Sequence, residues 1–409
     1  MKQQRDSLGD AGDTGPPDSI EGAVRATVRS AAAPPAPAAN RPDPPPAQAA
    51  PASDGAKATA RRPKAGLGAA LRPCLAPLPG LRLLPLPLLA LAALVGGWAV
   101  GVALAAVILA VVVQEAPDAA VDETGDTPHL AAALVAGAAP VLLIVLHGLD
   151  GGTALGVWGW FGLLLATALW LGQVGLAAGH ALIHAGRGKA RLGLAFYALV
   201  WAGPLASAHR LVHHRAAATA DDPFTADPDE GFWGYLGRAW PDAIVAGWEI
   251  EAETGRDGPG ATGPHPGLIL VAGSAAASLA IAFLAGAGAL VLHLVISALV
   301  HVQMLLCEFT RHHGRQRRRR GAGEVEPYGP THEWSAPDPL ARLCRGRPRR
   351  PGDHAAHDDA PPAPGVSPRL PLPFPMMSAL ALVPPLWRRA LAARTIRADR
   401  PRRGPGGRP

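Results

Sequence analysis

The sequence predicts an all-α integral-membrane bundle of about six transmembrane helices with a cytoplasmic cap rich in histidine. Three observations lead to this fold class. Hydrophobic residues make up 49% of the 409 residues and charged residues only 17%, which is apolar for a soluble chain. Four apolar runs approach or exceed the roughly 20 residues that span a bilayer. Histidines gather where these runs end, and five of the 15 lie between Gly179 and Pro223.

Residues 1–75 precede the apolar part and are dominated by alanine, proline, aspartate and arginine. Such a composition cannot bury a core, so we expect a disordered tail. Residues 396–409 are predicted to form a second, basic tail, which leaves 76–395 as the membrane domain. The first residues lack a charged segment followed by an apolar one, so no cleaved signal peptide is expected.

The apolar runs lie at roughly 76–114, 130–148, 153–178 and 267–306. The first and last are too long for one span, so each is predicted to be a helical hairpin. Gly96-Gly97 and Gly286–Gly288 mark the two turns. Six spanning helices follow from this division.

Two further apolar stretches are too short to span comfortably. Residues 192–206 are interrupted by Gly203-Pro204 and are predicted to form a re-entrant or surface helix that separates two histidine groups. Residues 371–388 are predicted to lie at the membrane interface.

The distribution of basic residues orients the six spans. With the basic N-terminal tail inside, the Lys and Arg residues of 185–215 and the Arg-rich stretch 311–350 also fall inside. The loops expected outside contain no Lys or Arg, as the positive-inside rule requires. We therefore expect a multi-pass protein of the inner or plasma membrane, with both termini and the histidines cytoplasmic.

Composition also argues against other classes. The net charge of +6 comes from arginine clusters that flank apolar helices, and no zinc finger, basic zipper or interleaved aromatic pattern accompanies them. We therefore expect no nucleic-acid partner. The three cysteines are scattered without a CxxC, so neither a zinc ribbon nor a disulfide framework is predicted.

The histidines show the spacing of metal ligands. His180 and His184 are four residues apart, which places both rings on one face of a helix. His209 and His213 repeat this spacing, and His214 adds an adjacent ring. Imidazole suits iron, copper and zinc, and five rings exceed what one tetrahedral zinc would use. The pattern favours two metals, although histidines that cap helices or lie at the interface remain the alternative.

More histidines follow the last apolar run on the same predicted side: His312, His313, His332, His354 and His357. Glu308 precedes His312 by four residues, again on one helix face. An acidic residue at the end of a membrane helix is by default a candidate functional residue.

These motifs together resemble the integral-membrane alkane 1-monooxygenases, within the fatty acid desaturase and hydroxylase superfamily. They occur in the order HALIH (180–184), AHRLVHHRAAATADDP (208–223), EFTRHHG (308–314), GPTHEWSAP (329–337) and RPGDHAAH (350–357). The resemblance covers roughly 76–395, which is all but the tails.

The resemblance implies a six-helix membrane fold, two non-haem iron ions, and dioxygen as co-substrate. It implies hydroxylation of the terminal methyl group of an alkane or similar alkyl chain, with electrons from a rubredoxin and its NADH-dependent reductase. No catalytic residue beyond the metal centre is implied. The iron ligands carried over by matching motif are His180, His184, His209, His213, His214, His312 and His354.

The chain departs from the family pattern at several positions. Alanine stands at positions 181 and 208, where the family has glutamate, and Val212 replaces a glycine. Pro351 and Ala355 stand where the last motif has two histidines. Residues that could substitute for missing ligands or support the others are Glu308, His313, His332, Asp353 and His357.

Three alternatives stay open. The first is a desaturase or hydroxylase of a lipid or fatty acyl chain in the same superfamily, and the second is a family member with an impaired metal site. A transporter with a histidine proton relay is the third, and His147, His293 and His301 would be its candidates. The arginine run 311–321 could bind an acidic redox partner or anionic lipids, or could serve topology alone.

Overall fold

The computed structural model describes residues 78–114, 127–185, 187–256, 265–320, 324–336 and 367–398. Regular structure in these ranges is almost entirely helical, which confirms the all-α class. The exceptions are a short antiparallel pair, β1 (Arg319–Arg320) with β2 (Glu324–Val325), and a single bridge from Ser335 to Arg369. The predicted tail 1–75 and the end of the chain from 399 lie outside the described residues.

Within the described residues, seven helices lead up to and carry the first two histidine motifs. They are α1 (Pro85–Val95), α2 (Trp98–Gln114), α3 (Thr127–His147), α4 (Gly156–Leu169), α5 (Leu176–Ile183), α6 (Arg187–Leu199) and α7 (Gly203–Ala208). A π-helical turn, Trp170–Gly175, joins α4 to α5 without a break. The later helices are α8 (Phe232–Arg256), α9 (Pro266–Ala285), α10 (Ala287–His312), α11 (Phe374–Ala381) and α12 (Pro384–Ala398).

Within the part of the chain that the structure describes, four helical segments are long and apolar enough to cross a membrane. They are Pro128–Gly152, Gly156–Ile183, Pro266–Ala285 and Ala287–His312. Helices α1 and α2 are apolar but shorter. The chain is thus a membrane protein by the length and composition of its helices, while the count of six spans remains a prediction.

Both predicted hairpin turns are confirmed. Helix α1 ends at Gly96 and α2 begins two residues later, because Gly96 and Gly97 adopt φ values of 69° and 55° that other residues rarely tolerate. Gly286, with φ 97°, ends α9 and begins α10 in the same way.

The predicted short segment 192–206 is two helices separated by a break. Trp201, between α6 and α7, has φ 58°, and the last carbonyls of α6 are left without helical partners. Two α10 histidines reach them: His293 Nε2 lies 2.7 Å from the Leu199 oxygen, and His301 Nε2 lies 2.9 Å from the Val200 oxygen. Each ring therefore completes the backbone hydrogen bonding of α6, which gives both histidines a structural role.

Helix α8 is a long amphipathic element that the sequence analysis did not identify. Its buried residues recur at helical spacing: Phe232, Tyr235, Ala239, Ala243, Ala246 and Ile250. It crosses α7 so closely that a Cβ at Gly247 would collide with the Pro204 carbonyl. This crossing fixes α7, whose end carries the second histidine group.

The C-terminal pair α11 and α12 packs against the end of α10. Trp387 is 2% exposed, and its ring contacts the rings of Phe309 and His313 at 5.4 Å between centroids. Neither helix reaches spanning length, as predicted for 371–388. The pair covers the cytoplasmic end predicted for α10, next to the histidine cluster.

Candidate metal centre

The first donor group brings together the two histidine motifs that the sequence places 25 residues apart. His180 Nε2 lies 3.1 Å from His209 Nε2, and His214 Nε2 lies 3.2 Å from the same His209 atom. The His184 ring contacts those of His180 and His214, with centroids 4.8 and 5.0 Å apart. The nitrogens of His180, His209 and His214 therefore converge, and the ring of His184 packs beside them.

A π-helical turn explains how three of the rings share a face. Residues His209–His213 form this turn, with His214 directly after it. Because a π-turn is wider than an α-turn, residues four and five positions apart both face the same side. The prediction that His209 and His213 lie on one face is therefore confirmed, although the turn that carries them is a π-turn and not the expected α-helical turn.

The second donor group lies on the other side of His209. Glu308 Oε2 is 3.7 Å from both His213 Nε2 and His312 Nε2. Glu308 Oε1 lies 3.2 Å from His209 Nδ1. Glu308 is 7% exposed, and His213 and His312 are fully buried, so this group is sheltered from solvent.

Hydrogen bonds behind the rings fix the orientation of two of them. His213 Nδ1 lies 2.8 Å from Asp222 Oδ2, and Asp222 in turn accepts from the Thr225 hydroxyl at 2.6 Å and the Phe224 amide at 3.1 Å. His312 Nδ1 lies 3.4 Å from the backbone oxygen of His332. Such partners set the tautomer and aim of metal-binding histidines.

Asp222 is a functional candidate that the sequence analysis missed. It lies inside the quoted stretch 208–223, so the motif contained it, but nothing in the spacing assigned it to a ring. The turn Ala217–Thr225 folds back on the histidines and places its carboxylate beside His213, nine residues away.

The electrostatics of the buried rings differ. Burial disfavours protonation of His213, yet the charge and hydrogen bond of Asp222 outweigh it and raise the pKa of His213. Burial opposes ionisation of Asp222, but His213 and Thr225 hold its pKa below the usual range. Burial and the neighbouring His209 ring lower the pKa of His214. A neutral His214 keeps a nitrogen lone pair available.

The donor set fits a transition metal such as iron. Imidazole and carboxylate are ligands that suit iron. Donor atoms lie within 4.8 Å of one another in two sets, His180 with His209 and His214, and His209 with His213 and Glu308. Glu308 Oε2 is buried without a hydrogen-bond partner among the described residues. Converging nitrogens and an unsatisfied buried carboxylate oxygen would be costly without a cation between them. The two groups could therefore each hold a metal ion.

The remaining predicted residues have different positions. His332 turns to Glu326, with Nε2 and Oε1 2.9 Å apart, and contributes its backbone oxygen to His312. His313 turns away from the donor groups, and its Nε2 lies 3.1 Å from the Glu230 oxygen. The predicted ligand His354, the candidate substitutes Asp353 and His357, and the altered positions 351 and 355 lie outside the described residues.

The apolar helices and the buried imidazoles that converge at their ends define the class: a helical membrane protein with a histidine-rich candidate metal centre. Residues 154–351 match the fatty acid desaturase family. This match covers 198 of the 409 residues, so this part of the chain is similar to fatty acid desaturases.

Its curated relatives include alkane 1-monooxygenases. The chain is 28% identical to alkane 1-monooxygenase 2 of Pseudomonas aeruginosa over 56% of its length, and to alkane 1-monooxygenase 1 of that species over 65%. It is 26% identical over 54% of its length to alkane 1-monooxygenase 2 of Alcanivorax borkumensis. These matches span 64%, 74% and 60% of the relatives' own lengths.

Proposed function

We propose that the chain is a membrane non-haem di-iron monooxygenase that hydroxylates the terminal methyl group of alkanes or similar alkyl chains. Dioxygen would be the co-substrate, and a rubredoxin with its NADH-dependent reductase would supply electrons. The observation that carries the proposal is the pair of adjacent buried donor groups, one of imidazoles and one of imidazoles with Glu308. Its support from relatives is the match to alkane 1-monooxygenases.

Bound iron would supply the redox chemistry with dioxygen that side chains lack for oxidising an unactivated C–H bond. The chain's own contribution is to hold the donors in a dry site. Phe224 covers His209 and His213, with ring centroids 6.1 and 5.5 Å apart. Asp222 and the His332 carbonyl keep two rings aimed inward. Exclusion of water protects reactive chemistry from side reactions.

The position of the donors suits a substrate that is dissolved in the bilayer. His180 lies near the end of the spanning segment Gly156–Ile183, and Glu308 and His312 lie at the end of Ala287–His312. An apolar chain could therefore approach from the membrane side, between helices, and place one end at the centre.

A basic face beside the centre suits an acidic electron donor. A groove of about 350 Å³ is lined by Arg315, Gln316, Arg318, Glu326, Thr331 and His332, together with Gly314. The His332 backbone at its base reaches His312. Complementary charge accelerates and orients association, so we propose that rubredoxin binds here, on the cytoplasmic side.

The donor proposal can be tested by charge reversal. Exchanging the exposed Arg318 and Arg319 for glutamate should raise KM for rubredoxin and weaken its salt dependence, while turnover with a chemical reductant stays unchanged. Arg191→Glu, on α6 and away from the groove, is the control. An unchanged KM would refute this binding site.

The central test is product formation. Purified chain in detergent or nanodiscs, supplied with iron, NADH, rubredoxin and reductase, should convert octane and oxygen into 1-octanol, measured by gas chromatography. His213→Ala should abolish this, whereas His265→Ala, whose ring stacks on Trp248 away from the centre, should not. Iron-free protein, or no alcohol from any alkane tested, would reject the proposal.

The second candidate is a desaturase or hydroxylase of a lipid or fatty acyl chain, which the family match over 154–351 favours equally. A new double bond in an acyl chain, in place of a terminal alcohol, would select it. A third candidate, an impaired family member, rests on Pro351 and Ala355. If Pro351→His with Ala355→His raises neither iron content nor activity, that candidate fails.

A further inference from the structure

The feature that the proposed function leaves unexplained is Glu308, a carboxylate at the midpoint of the histidine cluster. Oε1 faces His209, which also faces the first donor group, and Oε2 faces His213 and His312. It belongs to the second donor group and also lies against His209, the ring that takes part in both groups.

The tautomers of the surrounding rings follow from their outer partners. His213 Nδ1 lies against the Asp222 carboxylate and His312 Nδ1 against the His332 carbonyl, and both partners are acceptors. A neutral imidazole carries one proton, so each Nδ1 holds it and each Nε2 presents a lone pair. Both lone pairs then converge on Glu308 Oε2.

This arrangement is unfavourable for hydrogen bonding but suits a cation. The two nitrogen–oxygen distances are 3.7 Å, beyond hydrogen-bond range, and Oε2 has no other hydrogen-bond partner among the described residues. Three acceptors that surround one point in a buried site require a positive charge between them.

The other carboxylate oxygen acts on the first donor group. Oε1 lies 3.2 Å from His209 Nδ1, so the carboxylate charge favours the tautomer of His209 that carries its proton on this nitrogen. His209 Nε2 is then unprotonated and faces His180 Nε2 and His214 Nε2 at 3.1 and 3.2 Å. Glu308 thus sets the tautomer of His209 for the first group, as acidic partners do for metal-binding histidines.

We propose that Glu308 is a ligand of the second metal and, through its other oxygen, the residue that positions His209 for the first. The inference rests on the proposed di-iron function. A carboxylate ligand here supplies a donor in a chain whose last motif has Pro351 and Ala355. It also makes occupancy of the two sites interdependent, because one side chain contacts both.

Two substitutions separate the two roles. Glu308→Gln keeps an amide oxygen that can lie beside His209. It removes the negative charge, and the amide nitrogen that then faces the second group is a hydrogen-bond donor and cannot bind a metal ion. Iron should fall from about two per chain to about one, with the first site retained. Glu308→Ala removes both contacts, so the iron that remains should bind about 10- to 100-fold more weakly.

The experiment measures iron per chain by mass spectrometry, affinity by chelator competition, and iron environments by Mössbauer spectroscopy. Glu251→Gln is the matched control, since it is a buried carboxylate that accepts from Ser207 and Arg210 outside the donor groups. It should retain about two irons. Thermal unfolding and gel filtration of each variant show whether it is folded. Glu308→His supplies an imidazole ligand in place of the carboxylate, so it should keep part of the iron at the second site.

The outcomes distinguish the two proposals. Two irons in the wild type and in Glu308→Gln, with unchanged affinity, would overturn the role of Glu308 and leave the di-iron proposal intact. One iron in the wild type, unaffected by Glu308→Gln, would overturn both. A folded Glu308→Gln without iron, not rescued by Glu308→His, would overturn the proposed division of roles, in which Glu308 is a ligand of the second metal and only a positioning residue for the first.

Discussion

Replacing Asp222 by asparagine exchanges one carboxylate oxygen for an amide NH₂ group at the candidate metal centre and leaves the size of the side chain unchanged. Asp222 is 2% exposed and accepts three hydrogen bonds, from His213 Nδ1, the Thr225 hydroxyl and the Phe224 amide. An asparagine has one acceptor oxygen and one donor nitrogen, so in either amide orientation a donor meets a donor. If the amide nitrogen faces His213, the ring must carry its proton on Nε2, which then cannot bind metal.

The expected loss of iron affinity follows from the effect that hydrogen-bond partners have on metal-binding histidines. Loss of a carboxylate behind a metal-binding histidine costs about 10- to 100-fold in affinity. Asp222 is fully buried, and its exchange for asparagine leaves a donor–donor conflict, so we expect the upper end, about 100-fold or about 2.7 kcal/mol. Thr225→Val removes only one hydrogen bond to the carboxylate, worth about 1 kcal/mol, or roughly fivefold.

Iron affinity, measured by chelator competition on protein in detergent, is the assay. Asp221→Asn is the control, because this neighbouring acid lies outside the hydrogen bonds to His213. The expected order of affinity is wild type and Asp221→Asn, then Thr225→Val, then Asp222→Asn. Equal iron affinity in Asp222→Asn and wild type, with a folded protein, would refute the positioning role of Asp222.

Two further substitutions test the packing that places the centre. Gly247→Ala should lower the thermal midpoint and iron content, since its Cβ collides with the Pro204 carbonyl and costs about 1–3 kcal/mol; Gly237→Ala, on the same helix with open space, should not. His293→Leu should cost about 1–3 kcal/mol by leaving the Leu199 carbonyl unsatisfied, and an unchanged thermal midpoint would contradict the assigned hydrogen bond.

The parts of the fold set by local chemistry are predictable from the sequence. Apolar runs of spanning length give α3 to α5, α9 and α10, and glycines that adopt positive φ give the two hairpins. Helix α8 shows where this reading fails, because its polar face and central Pro241 hide an amphipathic pattern among loop-like residues. Its existence depends on packing against α7, which no local signal reports.

The histidines of the first two motifs were predicted because, within each motif, the rings lie on neighbouring turns of the same helical segment. Partners from distant segments were not, since their choice depends on tertiary contacts. Glu308 was predicted only as a candidate functional residue that could substitute for or support the ligands, and Asp222 was not identified at all, although both contact the rings directly. His332 was assigned through its side chain, yet its backbone oxygen is what approaches the centre.

Alanine stands at positions 181 and 208, where the family pattern has glutamate, and the structure gives a physical reason for it at position 208. Ala208 is fully buried at the end of α7, where the helix crosses α8 at Gly247, so the longer side chain of glutamate would have to displace that crossing. Carboxylates are instead supplied from α10, by Glu308, and from the turn before α8, by Asp222. The site therefore has two carboxylates that contact its rings, Glu308 and Asp222, although positions 181 and 208 hold alanine.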